Sequence, residues 1–316
     1  MMKTLSLIAL LAAAPVMAAE EPLQMKTAGG TLYGTLLVPA STKPLPVVLF
    51  IAGSGPTDRN GNSAMLPGPN NSLKLLAEGL AAHGIASLRY DKRGIGESAG
   101  AMTAEKDLRF DTYVDDAVAW ANQLRKDSRF NAVIIAGHSE GALLGTIAAQ
   151  KAPVTGFVSI AGLSRPADEV LRTQLAGKLP PDLMEINEKA LVALKGGKTV
   201  DNVPPALVAL YRPSVQPYLI SWFRYDPAAE IRKVKVPVLI VQGTTDIQVG
   251  VDDARALAAA KPAAKLEIIE GMNHVLKIVA ADQTKQIASY SDPALPVAPR
   301  LIDVVAAFVN RAAAGR

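Results

Sequence analysis

The chain has 316 residues, of which 49% are hydrophobic and 20% are charged, a composition typical of a globular protein with one large or two small domains. It contains no cysteine, which excludes a disulfide framework, a thiolate metal site and a cysteine nucleophile. The formal net charge is +4, and no run of basic residues accompanies it, so the sequence gives no support to nucleic-acid binding.

The first 18 residues have the pattern of a secretory signal peptide. Lys3 provides the positive start, residues 5–14 are apolar, and Val16-Met17-Ala18 fits a signal-peptidase site. We expect cleavage after Ala18, with Ala19 as the neighbouring alternative. The apolar segment is too short to remain as a membrane-spanning helix. The sequence therefore predicts a periplasmic or secreted protein without stable membrane insertion, whose fold begins after residue 18.

Strands and helices alternate along most of the remaining chain. Apolar, β-branched runs predict strands at 32–39, 46–51, 85–89, 133–136, 154–160, 236–242 and 266–269. Helical spacing of apolar residues predicts helices at 73–82, 113–126, 142–149, 254–260 and 301–311. This alternation predicts an α/β fold: a mostly parallel central sheet, antiparallel at its first strand, with helices on both faces joined by right-handed crossovers.

Residues 163–235 interrupt the alternation. They show no strong strand pattern, and short helical segments are predicted at 167–175, 181–194 and 204–210. An aromatic-rich segment follows and contains Tyr218 and Trp222, which are candidates for substrate binding. We expect 163–235 to form a helical cap over the carboxyl edge of the sheet, where open α/β sheets bind ligands, and 19–162 with 236–316 to form the core. The alternative is a surface insert unrelated to substrate.

The segment Gly137-His138-Ser139-Glu140-Gly141 lies between a predicted strand and a predicted helix, the context of a nucleophile elbow. Glycines are needed there because the strand and helix backbones come close together. Ser139 would occupy a strained backbone conformation and expose its hydroxyl at the positive end of a helix dipole. The alternative is a glycine-rich turn with an incidental serine.

A serine nucleophile needs a base within hydrogen-bond reach, and the chain has three histidines. His83 ends a helix, and His138 belongs to the turn itself. His274 follows the last predicted strand, in a loop that can pass above Ser139. We therefore expect His274 to be the base.

If the turn is a nucleophile elbow, the chain order that goes with this motif is Ser, then Asp or Glu, then His, so the orienting carboxylate is expected between Ser139 and His274. Asp246 follows the 236–242 strand and would accept the Nδ1–H of His274. Asp252 and Asp253 are alternatives, but they begin a helix, where acidic residues are common for structural reasons.

An acyl-transfer site also needs two backbone N–H donors for the oxyanion. The amide of Glu140 directly follows the nucleophile. The amide of Ser54 lies in the loop after the first long parallel strand, where Gly53 leaves room for close approach. A simple glycine-rich turn is the alternative for this loop.

The 137–141 turn, Gly-Thr-Thr-Asp246 and Gly-Met-Asn-His274 resemble the α/β-hydrolase superfamily over almost the whole chain after residue 18. Segments 52–62 and 89–98 resemble a narrower group of exported bacterial hydrolases, the serine aminopeptidase-like and acyl-esterase branches, many of which have His-Gly where this chain has Ala52-Gly53. The resemblance implies an α/β-hydrolase fold and a carboxylic-ester hydrolase with a Ser139–Asp246–His274 triad, in the chain order of that superfamily. We expect such an enzyme to act without cofactor or metal.

Two further segments admit structural interpretations. Arg59 could bind a substrate carboxylate, although a turn held by Asx side chains is favoured at 58–62. Segment 91–98 contains G-x-G but lacks the third glycine and the strand–helix context of a dinucleotide site, so we expect Asp91 and Arg93 to be structural.

The sequence thus predicts an exported serine esterase acting on a small-molecule ester. A serine peptidase would need an acid for the free amino group of its substrate, for which Glu140, Asp58 and Glu97 are candidates. A thioester hydrolase, a lipase and a non-catalytic binding protein on the same scaffold are further alternatives. Haloalkane dehalogenase and epoxide hydrolase chemistry are disfavoured because such relatives have Asp in place of Ser139. The sequence predicts no oligomeric state.

Overall fold

The computed structural model describes residues 18–102 and 104–315. The predicted signal peptide therefore lies, except for Ala18, outside the described residues. In the described ranges, no helix combines the length and the apolar character needed to cross a bilayer.

One sheet contains the eight strands found in the described residues: β1 (Ala19–Thr27), β2 (Gly30–Val38), β3 (Leu45–Ile51), β4 (Ala86–Tyr90), β5 (Phe130–His138), β6 (Gly156–Ile160), β7 (Val238–Gly243) and β8 (Lys265–Ile269). Their order across the sheet is β1-β2-β4-β3-β5-β6-β7-β8. β1 pairs with β2, and β2 with β4, in antiparallel fashion. All other neighbours are parallel. The carboxyl ends of β3 to β8 therefore meet at one edge.

The helices are α1 (Ser72–Ala81), α2 (Phe110–Lys126), α3 (Glu140–Lys151), α4 (Ala167–Leu175), α5 (Pro181–Lys195), α6 (Val208–Tyr211), α7 (Gln216–Phe223), α8 (Pro227–Lys233), α9 (Val251–Ala260), α10 (Gln283–Ser289) and α11 (Pro299–Ala314). Helices cover both faces of the sheet. Along β5, Val133 and Ile135 pack into one buried cluster with residues of α2 and α3, while Ile134 packs into a second cluster with residues of α1 and α11. Side chains of a strand alternate between faces, so a strand buried on both sides has a continuous apolar sequence.

The predicted α/β architecture is confirmed, although four elements, α7, α8, β1 and α10, were not among those predicted. β1 was not predicted because its segment, Ala-Glu-Glu-Pro-Leu-Gln-Met-Lys-Thr, is polar and lies mostly exposed at the sheet edge. α10 was not predicted either, because it is short and has an exposed, polar sequence with Gln286 and Ser289 as its buried residues. Both elements lack the apolar periodicity that buried elements show.

Five helices, α4 to α8, occupy the segment between β6 and β7, and no strand occurs from 163 to 235. α7 packs on α2 through aromatic side chains: the Phe110 and Trp222 rings are stacked with centroids 5.8 Å apart. The Ser221 hydroxyl accepts a hydrogen bond of 2.8 Å from the Phe110 amide. The division of the chain into a core and a separate cap domain at 163 and 235 stays a prediction.

Candidate active site

Ser139 lies between β5 and α3, with φ 56° and ψ −121°. Its amide donates to the Ile160 carbonyl at 2.9 Å, which ties the turn to the neighbouring strand. A Cβ at Gly137 would lie 2.0 Å from the Gly141 carbonyl oxygen, and one at Gly141 would lie 2.3 Å from the Ile51 carbonyl oxygen. The two glycines are therefore required by the close approach of three backbone segments, and Ser139 carries the strained φ at the amino end of α3.

Asp246 and His274 lie on adjacent loops, after β7 and β8, and are hydrogen-bonded. His274 Nδ1 is 2.8 Å from Asp246 Oδ2, and both side chains are buried. The other oxygen, Oδ1, accepts from the amides of Gln248 and Val249 at 2.8 and 3.0 Å. Burial alone would raise the pKa of Asp246, but the charge and hydrogen bond of His274, with the two backbone donors, hold that pKa below its ordinary value. The carboxylate is thus ionised at neutral pH and oriented toward the Nδ1 proton.

The two loops are fastened to each other by backbone and side-chain contacts. The Thr245 hydroxyl donates to the Gly271 carbonyl at 2.8 Å, and the Thr244 hydroxyl accepts from the Gly271 amide at 2.9 Å. A Cβ at Gly243 would lie 1.9 Å from the Met272 carbonyl oxygen. The Gly-Thr-Thr-Asp sequence therefore allows the loop of Asp246 to lie directly against the loop of His274.

His138 joins the His274 loop to the elbow. Its Nε2 is 2.8 Å from the His274 carbonyl oxygen, and the two rings have centroids 4.8 Å apart. Because a carbonyl oxygen can only accept, Nε2 carries a proton. Burial of the ring, followed by the proximity of His274, lowers the pKa of His138 to about 3, so the ring is neutral at pH 7. This contact brings His274 beside the residue that precedes Ser139, although no hydrogen bond joins the Ser139 hydroxyl to the His274 ring within the described residues.

The loop after β3 passes next to the nucleophile. A Cβ at Gly53 would lie 3.3 Å from the Ser139 Cβ, so glycine allows the loop to approach. Ser54 and Glu140 line the same cavity as Ser139. The Glu140 side chain is buried, accepts from the Tyr218 hydroxyl at 2.9 Å and lies 3.4 Å from the Lys92 ammonium group. Lys92 was not singled out by the sequence, although its place at the carboxyl end of a strand is the signal that could have found it.

Ser139 opens into a cavity of about 560 Å³ between the sheet edge and helices α4, α6 and α7. Most of its lining is apolar and comes from both the core and the segment 163–235, including Met102, Leu108, Leu163, Val170, Leu171, Leu210, Val215, Leu219 and Val249. Tyr218 and Trp222, the two aromatic candidates, are part of the lining. The arrangement can therefore hold an apolar group against the Ser139 hydroxyl.

The remaining candidates lie elsewhere. Arg59 is outside the cavity lining; its guanidinium is 2.6 Å from Asp91 Oδ2 and also pairs with Glu97, so the structure does not bring it to the substrate position. Its pairing supports the structural interpretation of the 58–62 turn, in which Asp58 Oδ1 accepts from the amides of the residues two and four positions later.

His83 and the two alternative acids lie away from the Asp246–His274 pair. His83 is exposed, with its Nε2 4.0 Å from Asp303. Asp252 is exposed beside Arg255, and Asp253 accepts from the Ser164 hydroxyl at 2.7 Å. In the described part of the chain, no group of three or more His, Asp or Glu side chains is placed to hold a metal ion.

Comparisons with known proteins agree with the geometry. A family model described as serine aminopeptidase, S33, matches residues 71–214. Esterase EstD of Thermotoga maritima is 29% identical over 250 residues, which cover 78% of this chain and 58% of EstD, so the chain spans less than two thirds of that relative.

Solved structures share the fold at low sequence identity. The α/β hydrolase GrgF from Penicillium sp. sh18 has a TM-score of 0.61 at 18% identity, with 94% of this chain and 99% of GrgF covered. Est1E from Butyrivibrio proteoclasticus has a TM-score of 0.58 at 18% identity, with 93% and 99% covered. The elbow, the strand order and these matches together show that the chain has the α/β-hydrolase fold.

Proposed function

We propose that this chain is an exported serine hydrolase that cleaves carboxylic esters through an acyl-enzyme on Ser139. His274 is the general base, and Asp246 orients it. The observation that carries the proposal is the elbow: Ser139 has φ 56° at the start of α3 and opens into an apolar cavity. The hydrogen-bonded Asp246–His274 pair is held beside it through the contact of His138.

The reaction follows from these positions. The Ser139 hydroxyl attacks the ester carbonyl carbon and gives its proton to His274 Nε2, while the carbonyl oxygen becomes an oxyanion that accepts from the amides of Ser54 and Glu140. Collapse of the tetrahedral intermediate breaks the carbon–oxygen bond, and the leaving alkoxide takes the proton from His274. Water then attacks the acyl group by the same route and releases the acid and free Ser139. Asp246 stabilises the imidazolium in both halves without being protonated.

The absence of a Ser139–His274 hydrogen bond in the described residues is compatible with this role. Nucleophile–base hydrogen bonds are often long in unliganded enzymes and tighten in the complex with substrate. The His274 ring is fixed at Nδ1 by Asp246 at 2.8 Å, so Nε2 is the nitrogen left for the hydroxyl.

Ester cleavage is favoured over cleavage at a free amino terminus because the acids that line the cavity are already paired. Glu140 is bonded to Tyr218 and lies against Lys92. Glu105 is bonded to Arg212 and to the Ser214 hydroxyl. An aminopeptidase needs a carboxylate that is free to meet the substrate ammonium group, and binding there would break one of these pairs.

The other two candidate anchors for an amino group, Asp58 and Glu97, are absent from the cavity lining. Asp58 holds its own turn, and Glu97 pairs with Arg59. The esterase name of the Thermotoga maritima relative adds support for ester substrates. We therefore propose small or medium acyl esters, with thioesters of the same acyl groups as the second candidate because they pass through the same oxyanion.

The test compares p-nitrophenyl esters from acetate to decanoate, the matching acyl thioesters and aminoacyl p-nitroanilides. We expect esters to be cleaved with the largest kcat/KM and Ser139→Ala to lose activity by several orders of magnitude while its melting curve is unchanged. A fluorophosphonate probe should label wild type and Ser128→Ala, an exposed serine, but not Ser139→Ala. Equal ester rates for wild type and Ser139→Ala would refute the proposal, and faster cleavage of the anilides would favour the peptidase.

Export is the second part of the proposal. The predicted cut after Ala18 falls directly before β1, Ala19–Thr27, so cleavage there would remove no residue of the sheet. We expect the protein recovered from the periplasm of a Gram-negative host to begin at Ala19, as measured by intact-protein mass. Recovery of full-length protein from the cytoplasm alone would contradict export.

A further inference from the structure

Lys92 is a buried lysine next to the candidate active site. It follows β4 by two residues, and its side chain is 1% exposed. Its ammonium group donates to the Gly53 carbonyl oxygen at 2.6 Å and lies 3.4 Å from Glu140 Oε1. The ammonium group is also 5.1 Å from the centre of the Tyr113 ring. A buried charge is costly unless it is paired and hydrogen-bonded, so these contacts fix Lys92 in one position.

The contact at Gly53 acts on the neighbouring amide. The Gly53 carbonyl and the Ser54 N–H belong to the same peptide group, which is planar, with the two bonds pointing in opposite directions. A donor that holds the oxygen therefore also fixes the direction of the N–H. A cation at the oxygen draws electron density through the peptide group and makes the N–H a stronger donor.

The same lysine is linked to the second oxyanion donor. Glu140, whose amide directly follows Ser139, presents its carboxylate to Lys92 and to the Tyr218 hydroxyl. The side chain of one donor residue thus holds the lysine that orients the other donor. The buried ion pair connects the loop after β3, the loop after β4 and the start of α3.

We propose that Lys92 is a positioning residue for ester hydrolysis, one that orients and polarises the Gly53–Ser54 peptide group so that the Ser54 amide stabilises the oxyanion. This inference rests on the proposed function. The competing explanation gives Lys92 a structural role, the neutralisation of Glu140. The two explanations differ in what happens when both charges are removed together.

The experiment uses Lys92→Met, the double variant Lys92→Met/Glu140→Gln and the control Lys26→Met, an exposed lysine on β1. For each variant, kcat and KM are measured on a p-nitrophenyl ester. The inhibition constant of a trifluoromethyl ketone is measured as well, because its adduct with Ser139 carries an oxyanion, and melting curves report the folded state.

We expect Lys92→Met to lower kcat by about tenfold to a hundredfold with little change in KM, because loss of a whole oxyanion donor costs about 10²–10³ in kcat. The inhibition constant should rise by a similar factor. The double variant leaves no unpaired buried charge and keeps an acceptor for Tyr218, so it should fold. Its kcat should stay low because the Gly53 carbonyl still has no cationic donor. Lys26→Met should match wild type.

A double variant with wild-type kcat and inhibition would overturn the proposal, because Lys92 would then serve to neutralise Glu140. A folded Lys92→Met with wild-type values would overturn it as well. If Lys92→Met fails to fold, the double variant decides between the two explanations. Failure of the proposed function gives a different result: the wild-type chain would neither cleave esters nor react with fluorophosphonate, and the proposal for Lys92 would fall with it.

Discussion

The stability of this protein should depend strongly on pH through His138. The ring is buried between the Gly53 loop and the His274 loop, and burial lowers the pKa of His138 to about 3 in the folded protein. In an unfolded chain, a histidine has a pKa of about 6.5. The unfolded state therefore binds a proton that the folded state rejects at every pH between these two values.

The sign and size of the effect follow from linkage. Where the unfolded state binds more protons, the free energy of unfolding rises with pH, so this contribution is lost as pH falls from about 6.5 toward 3. Each unit of pKa shift corresponds to about 1.36 kcal/mol, so the whole shift amounts to about 5 kcal/mol. About 3 kcal/mol of that should be lost between pH 7 and pH 4.

The substitution His138→Gln removes the titration and retains an amide that can donate to the His274 carbonyl. The assay is urea unfolding followed by circular dichroism at pH 7, 6, 5 and 4, with His83→Gln as the control because that histidine is exposed. Wild type and the control should lose about 3 kcal/mol more than His138→Gln over this range. An equal loss in all three proteins would refute the reasoning.

Three further predictions test the elbow, the acid and the outlying arginine. Gly137→Ala should fail to fold, because the added Cβ would lie 2.0 Å from the Gly141 carbonyl oxygen. In the control Gly100→Ala, the added Cβ would meet no atom within 4 Å, so the melting temperature should change little. Asp246→Asn should lower kcat on a p-nitrophenyl ester by about 10⁴ with a near-native circular-dichroism spectrum, and a kcat within tenfold of wild type would argue against its role. Arg59→Met should lower the free energy of unfolding in urea by about 3 kcal/mol, because it leaves the buried carboxylate of Asp91 unpaired. The kcat/KM of the folded variant should stay within twofold of wild type. A large rise in KM would indicate instead that Arg59 contacts the substrate.

The central sheet could be predicted from sequence because its strands are buried on both faces. β3 is apolar along its whole length, as are β5 from residue 132 to 137 and β7 from 238 to 241, and this pattern does not depend on distant contacts. β1 could not be predicted in this way, because at the sheet edge its polar residues face solvent and hydrogen bonds to β2 hold it. Apolar periodicity arises from burial, so it cannot predict an element that is mostly exposed.

The candidate site was predictable to the extent that parallel strands bring their carboxyl ends together. This rule led to Ser139, Asp246, His274 and Ser54, each in a segment that follows a strand. It could not find the role of Lys92, because the partners of that side chain are 39 and 48 positions away in the chain. Which side chains pair between distant loops depends on their positions in space. Neither secondary-structure propensity nor the spacing of residues in the sequence specifies those positions.

Arg59 illustrates the same limit in the opposite direction. An arginine beside a predicted oxyanion loop has the right charge for a substrate carboxylate, but its partner Asp91 belongs to a different strand end, 32 residues away. The pairing of the two could be read only from the structure. The Asx turn at 58–62, by contrast, involves neighbours in the chain, and it follows the local rule.

The contacts that hold the site join segments that are distant in the chain. Thr245 binds the Gly271 carbonyl, His138 binds the His274 carbonyl, Lys92 binds the Gly53 carbonyl, and Tyr218 binds Glu140. Each fixes one segment of the candidate site against another, and catalytic groups need such support because displacements well below 1 Å lower the rate. A binding protein that only enclosed an apolar ligand would gain little from a carboxylate–imidazole pair next to the segment of a strained serine. The geometry therefore favours a catalytic role over a binding role, because the hydrogen-bonded polar groups are concentrated where an oxyanion and a proton would have to be held.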